Sequence, residues 1–356
     1  SKTGAKVGLM VSQGFEDYLL MEKGEGAWIS YPNSDRLHTV THHHADPTIP
    51  RNRIVGIQGR LDMFGGEVIP LRKSDVEEKT RALIDQGAES IAVMFLFSHM
   101  DPVHERLARK LIRKIDKKIP IILSSEIAPT HKEYTRLSSV VAQAYAGERA
   151  RTHFKRVESK ARAHGFDKEV STLLAHGGTV PISTKRLYES YVSGPVGGIL
   201  GGHYVGQIMG SGNVVGCDIG GTSFDVGVIT DCAPLLSEIA VHDRHRLALP
   251  HVDIVSIGAG GGSIAWIDRG GFLCVGPQSA GADPGPVCYG TGGRNPAVTD
   301  ADIALGFLNP DYYLGGAQTL DRGAALEALQ RRIGEPLGMT ALAAAAGIRR
   351  IVDQRM

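Results

Sequence analysis

The stretch that decides the fold is Asn213-Val-Val-Gly-Cys-Asp-Ile-Gly-Gly-Thr-Ser-Phe-Asp-Val-Gly-Val-Ile229. Its first half is an apolar run that ends at Asp218, and its second half alternates apolar and other residues from Phe224 onward. Alternation with a period of two is typical of strands, and adjacent glycines are typical of the tight turn between them. The stretch therefore predicts a β-hairpin whose turn is Gly220-Gly221-Thr222-Ser223, called the hairpin turn below.

The residue types around this turn suit the binding of a phosphate and its metal ion. The two glycines let the backbone approach a ligand closely, and successive N–H groups at such a turn can hold an anion. Thr222 and Ser223 add hydroxyl groups to these donors. Asp218 and Asp225 flank the turn with carboxylates that can hold Mg²⁺ directly or through water. The stretch therefore predicts a nucleoside triphosphate site, and the alternative is an ordinary Gly-Gly hairpin.

Two common nucleotide-binding motifs are excluded at this position. No Gly-Lys-Ser/Thr follows the glycines, so the stretch is not a Walker loop, and a strand follows them, so it is not a Rossmann fingerprint. The pattern Asp-x-Gly-Gly-Thr-x-x-Asp in a hairpin instead resembles a phosphate loop of the actin/sugar-kinase/Hsp70 ATPase superfamily. The resemblance implies an α/β, ribonuclease H-like ATPase fold with mixed sheets and flanking helices, of which this chain is expected to contain only a part.

Composition and charge narrow the class of protein. The chain has 356 residues, enough for roughly two domains, and its 42% hydrophobic and 22% charged content favours a folded core over disorder. The net charge of +1 provides no electrostatic basis for binding nucleic acid or an anionic membrane. No apolar run is long enough to span a bilayer, and the N-terminus shows no signal peptide. We therefore expect neither nucleic acid nor a membrane as a partner.

The cysteines indicate a reducing compartment. Cys217, Cys232, Cys274 and Cys288 lack the spacing of metal ligands and stand in apolar or glycine-rich surroundings. We therefore expect reduced thiols in a cytoplasmic protein. Cys288 could act as a nucleophile, but no base stands near it in the sequence, and a packed thiol is the expected interpretation.

Periodicity along the chain predicts four regions. Residues 1-73 are predicted to be strands and loops that contribute to an α/β domain, and residues 74-175 to be an α/β domain with a parallel crossover. Residues 176-316 are predicted to form the glycine-rich ATPase-like domain that contains the hairpin. Residues 317-356 are predicted to be a C-terminal helical segment. The stretch from Tyr31 to Arg60, rich in Pro, His and Arg, is predicted to be irregular.

The second region carries a helix signal at its start. Ser74 is predicted to cap a helix that has Val76 and Leu83 on one face. Further on, residues 131–165 are predicted to form one long helix with an apolar face and a charged face.

A second glycine-rich stretch, Ser256-Ile-Gly-Ala-Gly-Gly-Gly-Ser263, lies between two predicted apolar strands and is called the glycine loop below. Its glycines are Gly258, Gly260, Gly261 and Gly262. Because glycine costs conformational entropy, such a density indicates that the backbone must approach something closely. We expect this loop to border the phosphate or ribose of a nucleotide, and a β-bulge or a hairpin corner is the alternative.

Two clusters hold histidine and aspartate, residue types that bind transition metals: His42, His43, His44 and Asp46, and His242, Asp243, His245 and His251. Adjacent strand residues point to opposite faces of a sheet, so the first cluster cannot converge on a metal without a loop. For that cluster we expect an exposed or interfacial loop. The second cluster surrounds Pro250 and a following strand, which suggests a structured turn, and a metal site and a plain turn both stay open there.

Six glycine-rich or acidic motifs follow one another in an order that resembles a known family. They are Val192-Ser-Gly-Pro195, Asp218-x-Gly-Gly-Thr-Ser-x-Asp-Val226, Ile257-Gly-Ala-Gly-Gly-Gly-Ser-Ile264, Gly276-Pro-x-Ser-Ala-Gly-Ala-Asp-Pro-Gly-Pro286, Val298-Thr-Asp-Ala-Asp302 and Asp311-Tyr-Tyr-Leu-Gly-Gly316. The series is similar to the A subunit of the hydantoinase/5-oxoprolinase family, which also contains the ATP-dependent acetone and acetophenone carboxylases. The similarity extends from Thr3 to the end of the chain.

The resemblance implies a subunit of an ATP-dependent enzyme that phosphorylates a carbonyl oxygen, with a B-type partner subunit that completes the reaction. For a ketone the product would be an enol phosphate whose carbon attacks CO₂. For a cyclic amide, phosphorylation of the amide oxygen would expose the ring carbon to water. Asp218 and Asp225 would be catalytic and hold Mg²⁺. The hairpin turn would bind the phosphates of ATP, and the glycines at 258–262 would border the nucleotide.

The chain departs from the family pattern in two places. The family begins with a further glycine-rich phosphate loop and continues past Met356, so we expect a central fragment with one half of a clamped ATP site. Ala175-His176-Gly177-Gly178 stands where hydrolases of the family carry Ser-Asn-Gly-Gly, and together with Phe224 it favours a ketone carboxylase of the acetone/acetophenone type. The alternatives are an ATP-dependent hydrolase of a cyclic amide (hydantoin, 5-oxoproline or lactam) and a non-catalytic nucleotide-binding scaffold subunit. Tyr31 to Arg60 is the candidate contact with the B-type subunit.

Overall fold

A computed structural model describes residues 4–22, 47–242 and 245–356 of the chain. The chain folds into two compact units. Unit 1 comprises Ser1–Val196 and Leu236–Val252, and unit 2 comprises Gly197–Leu235 and Asp253–Met356. The four regions expected from periodicity, with boundaries after residues 73, 175 and 316, stay a prediction.

A four-stranded parallel sheet forms the centre of unit 1. In spatial order its strands are Ile54–Ile57, Val7–Ser12, Ser90–Met94 and Ile121–Leu123. Every residue of Val7–Ser12 is buried, as expected for a parallel strand whose two faces are both covered. Ile54–Ile57 lies within the stretch that the sequence predicted to be irregular. The prediction was wrong there because Ile54–Ile57 is a strand only through its pairing with the distant strand Val7–Ser12.

Helices cover both faces of this sheet. Side chains alternate between the faces of a strand, so Leu9 and Met10 belong to different cores. Leu9 packs in the core formed with the helix Glu133–Ala163. Met10 packs in the core formed with the helices Lys73–Asp85 and Val103–Ile115. The predicted parallel crossover, from Ser90–Met94 through Val103–Ile115 to Ile121–Leu123, and the predicted long helix are confirmed.

The helix Lys73–Asp85 begins before Ser74, the residue predicted to cap it. Arg72 occupies the N-cap position, and Ser74 is already helical. No side chain caps this end of the helix. Val76 and Leu83 are buried, as their spacing predicted. The cap was wrongly placed because a serine near a helix start is a local signal, whereas packing of the apolar face sets where the helix begins.

Among the described residues of unit 1, the remaining elements are short. They are the 3₁₀ turns Arg51–Arg53 and Leu187–Ser190, the helix Ser124–Ile127, and four strand pairs, Arg60–Leu61 with Glu67–Ile69, Ser171–Leu173 with Thr179–Pro181, Leu236–Ser237 with His251–Val252, and Ala240–His242 with His245–Leu247.

Unit 2 contains the predicted hairpin as part of an antiparallel sheet. Its central strand, Phe224–Thr230, pairs with Val214–Ile219, with Ile254–Ile257 and, at its end, with Ala233–Pro234. The hairpin prediction is therefore confirmed, with residues 220–223 as the turn.

A helix packs closely on one face of the hairpin. Within unit 2, Ile199 of the helix Ser193–Ile208 lies over Gly216 and Gly227, which face each other across the two strands. A Cβ atom on Gly216 or Gly227 would come within 2.5 or 2.6 Å of the Ile199 side chain. A side chain at either position would force the Ile199 side chain to move, so the two glycines let the helix lie this close to the sheet. Asp218 and Asp225 are the next residues along the strands on this same face.

The other elements of unit 2 surround an alanine-rich core. They are the strand pair Ser263–Ile267 with Leu273–Ser279, the helices Val298–Leu305, Arg322–Leu329, Glu335–Leu337 and Ala341–Arg355, the π-helical turn Gln330–Gly334, and the 3₁₀ turns Val287–Tyr289 and Leu314–Gly316. Ala301, Leu329 and Ile348 lie in this core. Among the described residues of the whole chain, the helices are all too short or too polar to cross a membrane.

Candidate functional site

The hairpin places its two aspartates side by side. The strand register pairs Asp218 directly with Asp225. Side chains that oppose each other in an antiparallel pair have Cβ atoms roughly 5 Å apart, and like charges in this arrangement repel. Asp225 is only 7% exposed and accepts a hydrogen bond at Oδ2 from Ser223 Oγ at 2.9 Å, whereas Asp218 is exposed. The pair is a concentration of negative charge that a cation would stabilise.

The hairpin turn leaves several donors unpaired. Gly220 N–H donates to the carbonyl oxygen of Ser223 at 2.9 Å, which closes the turn. The next three N–H groups, those of Gly221, Thr222 and Ser223, and the Thr222 hydroxyl donate no hydrogen bond within the described part of the chain. Gly221 and Thr222 are also exposed to solvent. Consecutive unpaired N–H groups of this kind form an anion-binding concavity.

Gly221 lies beside open space. A Cβ atom built on this residue would have no neighbour within 4 Å, and the backbone there is not in the left-handed region. Neither packing nor backbone strain in the protein therefore requires glycine at this position. Its lack of a side chain leaves room for a ligand next to the unpaired N–H groups.

The glycine loop packs directly against the hairpin turn. Gly261 N–H donates to the carbonyl oxygen of Gly220 at 3.1 Å, and Gly262 N–H donates to that of Gly221 at 2.6 Å. A Cβ atom on Gly260 would lie 2.7 Å from the Gly220 oxygen, and one on Gly262 would lie 2.8 Å from the Gly221 oxygen. Real side chains do not tolerate such separations, so the approach of the two loops requires glycine.

The donors of the glycine loop are mostly occupied by the protein. Gly260 N–H donates to Ser263 Oγ at 3.0 Å, and the next two N–H groups donate to the turn. Gly258 faces open space, as Gly221 does. The glycine loop thus holds the turn in place. That its glycines also border a nucleotide stays a prediction.

One residue behind the glycine loop received no role in the sequence analysis. The N–H and the Oγ1 of Thr299 both donate to the carbonyl oxygen of Gly261, each at 2.8 Å. The neighbouring Asp300 is fully buried and accepts three backbone hydrogen bonds, one of them from Cys288 N–H at 2.7 Å. The sequence signal that could have indicated these contacts is the Thr299-Asp300 pair at the start of a helix. Side chains of these types at a helix start commonly form hydrogen bonds with backbone groups.

Cys288 is a packed thiol, as predicted. Its side chain is fully buried, and burial, followed by the nearby Asp300 carboxylate, raises the pKa of the thiol far above its ordinary value. Because the thiolate is the nucleophilic form, a thiol that stays protonated cannot act as a nucleophile.

Most residues of the two predicted histidine clusters lie outside the described part of the chain. His42, His43, His44, Asp46 and Asp243 lie outside the described residues, as do residues 31–46 of the stretch expected to contact a partner. In unit 1, His245 Nδ1 forms a hydrogen bond with the hydroxyl of Tyr134 at 2.9 Å. Across residues 4–22, 47–241 and 245–356, no three His, Cys, Asp or Glu side chains are arranged to hold a metal ion.

Two family models match the sequence. The hydantoinase/oxoprolinase model matches residues 136–356, and the hydantoinase/oxoprolinase N-terminal region matches residues 1–116. Among individual proteins, the chain is 36% identical over 362 residues to the acetophenone carboxylase gamma subunit of Aromatoleum aromaticum, which covers 100% of this chain and 50% of that protein.

Two solved structures share the fold. A nucleotide-free acetone carboxylase structure has a TM-score of 0.92 at 35% identity, covering 99% of this chain and 50% of that one. The ATP-dependent caprolactamase from Pseudomonas jessenii has a TM-score of 0.73 at 34% identity, covering 99% of this chain and 51% of that one. The predicted α/β fold class is confirmed, and the mixed architecture is consistent with the actin-like ATPase fold.

The chain spans about half the length of these relatives. The similarity covers essentially the whole chain, which includes the hairpin, the glycine loop and Thr299. The six ordered motifs, the two matched regions and the fold together show that the chain belongs to the hydantoinase/oxoprolinase family.

Proposed function

We propose that the hairpin turn binds the phosphates of ATP, and that the protein containing this chain uses ATP to phosphorylate a carbonyl oxygen. The observation that carries the proposal is the row of unpaired N–H groups at residues 221–223 between the facing carboxylates of Asp218 and Asp225. Donors for a phosphate and ligands for its cation thus meet at one turn. The acetone carboxylase and caprolactamase structures are both of ATP-dependent enzymes, which supports the choice of nucleotide.

The two aspartates fit a magnesium ion bound to ATP. Mg²⁺ in such sites takes one or two protein carboxylates and completes its shell with phosphate oxygens and water. Asp218 and Asp225 supply that number of carboxylates and would lose their mutual repulsion on binding the ion. When bound, Mg²⁺ would neutralise part of the phosphate charge. Ser223 holds the Asp225 carboxylate in place by its hydrogen bond.

The turn would act by positioning and by stabilising charge, the two effects that dominate phosphoryl transfer. The carbonyl oxygen of the substrate would bond to the γ-phosphorus while the bond from that phosphorus to ADP breaks. The N–H groups of Gly221 and Thr222 would hold phosphate oxygens during this step. A ketone that loses an α-proton would give an enol phosphate. Its carbon would then bond to CO₂ while water cleaves the O–P bond, which releases phosphate and leaves the carboxylated ketone.

A ketone carboxylase is the first choice of activity. The TM-score of 0.92 to acetone carboxylase, against 0.73 to caprolactamase, supports it. An ATP-dependent hydrolase of a cyclic amide is the second choice, because the caprolactamase is 34% identical over 99% of this chain. There the phosphorylated amide would present its ring carbon to water.

The second half of either reaction would fall to a partner. The acetophenone carboxylase gamma subunit, to which the chain is 36% identical, is by its name one subunit of a larger enzyme, and this supports the division. We propose a B-type subunit of the same enzyme as the partner, with a small carbonyl compound as the substrate.

The test is the release of phosphate from ATP by the full-length protein, with and without its partner subunit. Acetone, acetophenone, hydantoins, 5-oxoproline and caprolactam are each added, with bicarbonate present. A carboxylase releases phosphate only with its ketone and forms a carboxylated product when the partner is present. Release with a cyclic amide would favour the hydrolase. Absence of both ATP binding and turnover with the partner present would contradict the proposal, and binding without turnover would favour a scaffold.

A further inference from the structure

We infer that Thr299 is a positioning residue for the hairpin turn, and that it orients a phosphate-facing N–H group through two intervening peptide groups. The inference rests on the proposed function only for the identity of the ligand. The geometry of the positioning itself stands on contacts within unit 2.

The first step is the contact between Thr299 and the glycine loop. Its hydroxyl and its N–H both donate to the carbonyl oxygen of Gly261, each at 2.8 Å. Thr299 is only 6% exposed, so water competes little for its hydroxyl group. A Cβ atom on Gly261 would lie 2.9 Å from Thr299 Oγ1, so glycine is what lets the hydroxyl come this close.

The peptide group that joins Gly261 to Gly262 connects Thr299 to the hairpin turn. A trans peptide is planar, with its C=O and N–H pointing in opposite directions. The oxygen of this peptide is held by Thr299, and its N–H, that of Gly262, donates to the carbonyl oxygen of Gly221 at 2.6 Å. Holding one end of the plane therefore fixes the direction of the other end.

The peptide group that joins Gly221 to Thr222 is the last one in this series of hydrogen bonds, and its N–H faces the proposed phosphate. The peptide group that joins Gly221 to Thr222 accepts from Gly262 at its oxygen, and its own N–H is the unpaired one of Thr222. Hydrogen bonds in such a series polarise one another, so each acceptor contact strengthens the donor at the opposite end of the peptide. Thr299 thus both aims the Thr222 N–H and makes it a better donor to an anion.

A parallel series supports the neighbouring donor without using a side chain. Ser263 N–H donates to the oxygen of Gly260 at 3.0 Å, and Gly261 N–H, in the same peptide group, donates to the oxygen of Gly220 at 3.1 Å. That acceptor peptide carries the unpaired N–H of Gly221. Thr299 is therefore the position at which a side-chain substitution can alter one series and leave the other intact.

The test compares three variants of the full-length protein in the absence and presence of ATP. Thr299→Val removes the hydroxyl and keeps the shape, whereas Thr299→Ser keeps the hydroxyl. Thr80→Val is the matched control in unit 1, because it removes a buried threonine hydroxyl that donates to the Val76 carbonyl oxygen at 2.5 Å. Amide exchange at Gly262 without ATP, and the Kd for ATP by calorimetry, are the two measurements.

Loss of one hydrogen bond should speed exchange at Gly262 and weaken ATP binding by roughly three- to tenfold in Thr299→Val. Thr299→Ser and Thr80→Val should match the parent in both measurements. Unchanged exchange at Gly262 in Thr299→Val would overturn the inference. Faster exchange in a protein that never binds ATP would support the positioning role and contradict the proposed function instead.

Discussion

One carboxylate in unit 1 and a pair of carboxylates in unit 2 differ in how many hydrogen bonds they accept from the protein. In unit 1, Glu105 is fully buried and accepts hydrogen bonds from backbone and hydroxyl donors around it. Its donors are the N–H groups of Phe95 and Ser125 and the hydroxyls of Ser98, Ser124 and Ser125, at distances between 2.6 and 3.1 Å. In unit 2, Asp225 accepts a hydrogen bond from Ser223, and the exposed Asp218 accepts none from described residues.

The difference separates a structural carboxylate from one that is available to a ligand. A buried charge is tolerated when its oxygens are fully hydrogen-bonded, and Glu105 meets that condition. Near it, the fully buried Arg136 donates to the carbonyl oxygen of Phe95 at 3.0 Å, so both charges clamp one segment. Asp218 and Asp225 instead face each other beside unpaired N–H groups. The first arrangement holds a fold together, and the second leaves interactions for a ligand to complete.

Glu105→Ala should produce the largest change, because it leaves five donors without their acceptor. Unmet buried donors and the cavity together should lower the free energy of unfolding by about 3 kcal/mol or more. Urea denaturation measures this loss. Glu105→Gln, which keeps the shape and part of the acceptor set, should lose less. A loss below about 1 kcal/mol in the alanine variant would show that the cluster is not structural.

Asp218→Asn and Asp225→Asn should reverse that pattern, with a large effect on turnover and a small one on folding. Removing one charge-stabilising group commonly costs about 10²–10³ in rate. ATP turnover at saturating substrate, measured against the Mg²⁺ concentration, tests this in the full-length protein. If both variants stay within a few-fold of the parent, the two aspartates belong with Glu105 as structural carboxylates.

Gly221 and Gly260 differ in the same way as the carboxylates, because one lies beside space for a ligand and the other packs against the protein. Gly221→Val places a side chain in open space beside the unpaired N–H groups, so ATP binding should weaken at least tenfold, about 1.4 kcal/mol, with normal melting. Gly260→Ala places a Cβ atom 2.7 Å from the Gly220 oxygen and should cost about 1–3 kcal/mol of stability. Calorimetry and thermal melting measure the two effects. Equal melting temperatures for both variants would remove the distinction.

The cysteines should show the smallest effect, as a difference in labelling. Because burial raises the pKa of Cys288, its thiol holds its proton at pH 8 and should resist iodoacetamide. Cys217 and Cys232 are exposed and should be alkylated under the same conditions. Mass spectrometry of peptides from the folded protein reads the result, and the denatured protein, in which Cys288 should also react, is the control. Equal labelling in the folded state would place Cys288 at the surface.

The sequence by itself determined the hairpin, its turn, the long helix and the family. Each of these depends on neighbouring residues or on motif order. Alternation over a few residues specifies a strand, and two adjacent glycines specify a turn between strands. The facing of Asp218 and Asp225 follows from that same local geometry once the turn is known.

Only the tertiary structure decided which donors are free and which are occupied. The sequence did not predict that Gly260 and Gly262 pack against the hairpin turn, and that the glycine loop also borders a nucleotide stays a prediction. Thr299 contacts Gly261 from 38 residues away, and Ile54–Ile57 becomes a strand only by pairing with Val7–Ser12. The physical reason is the same in each case. A hydrogen bond between segments distant in sequence leaves no periodicity in either segment, so it appears only when the chain has brought the two together.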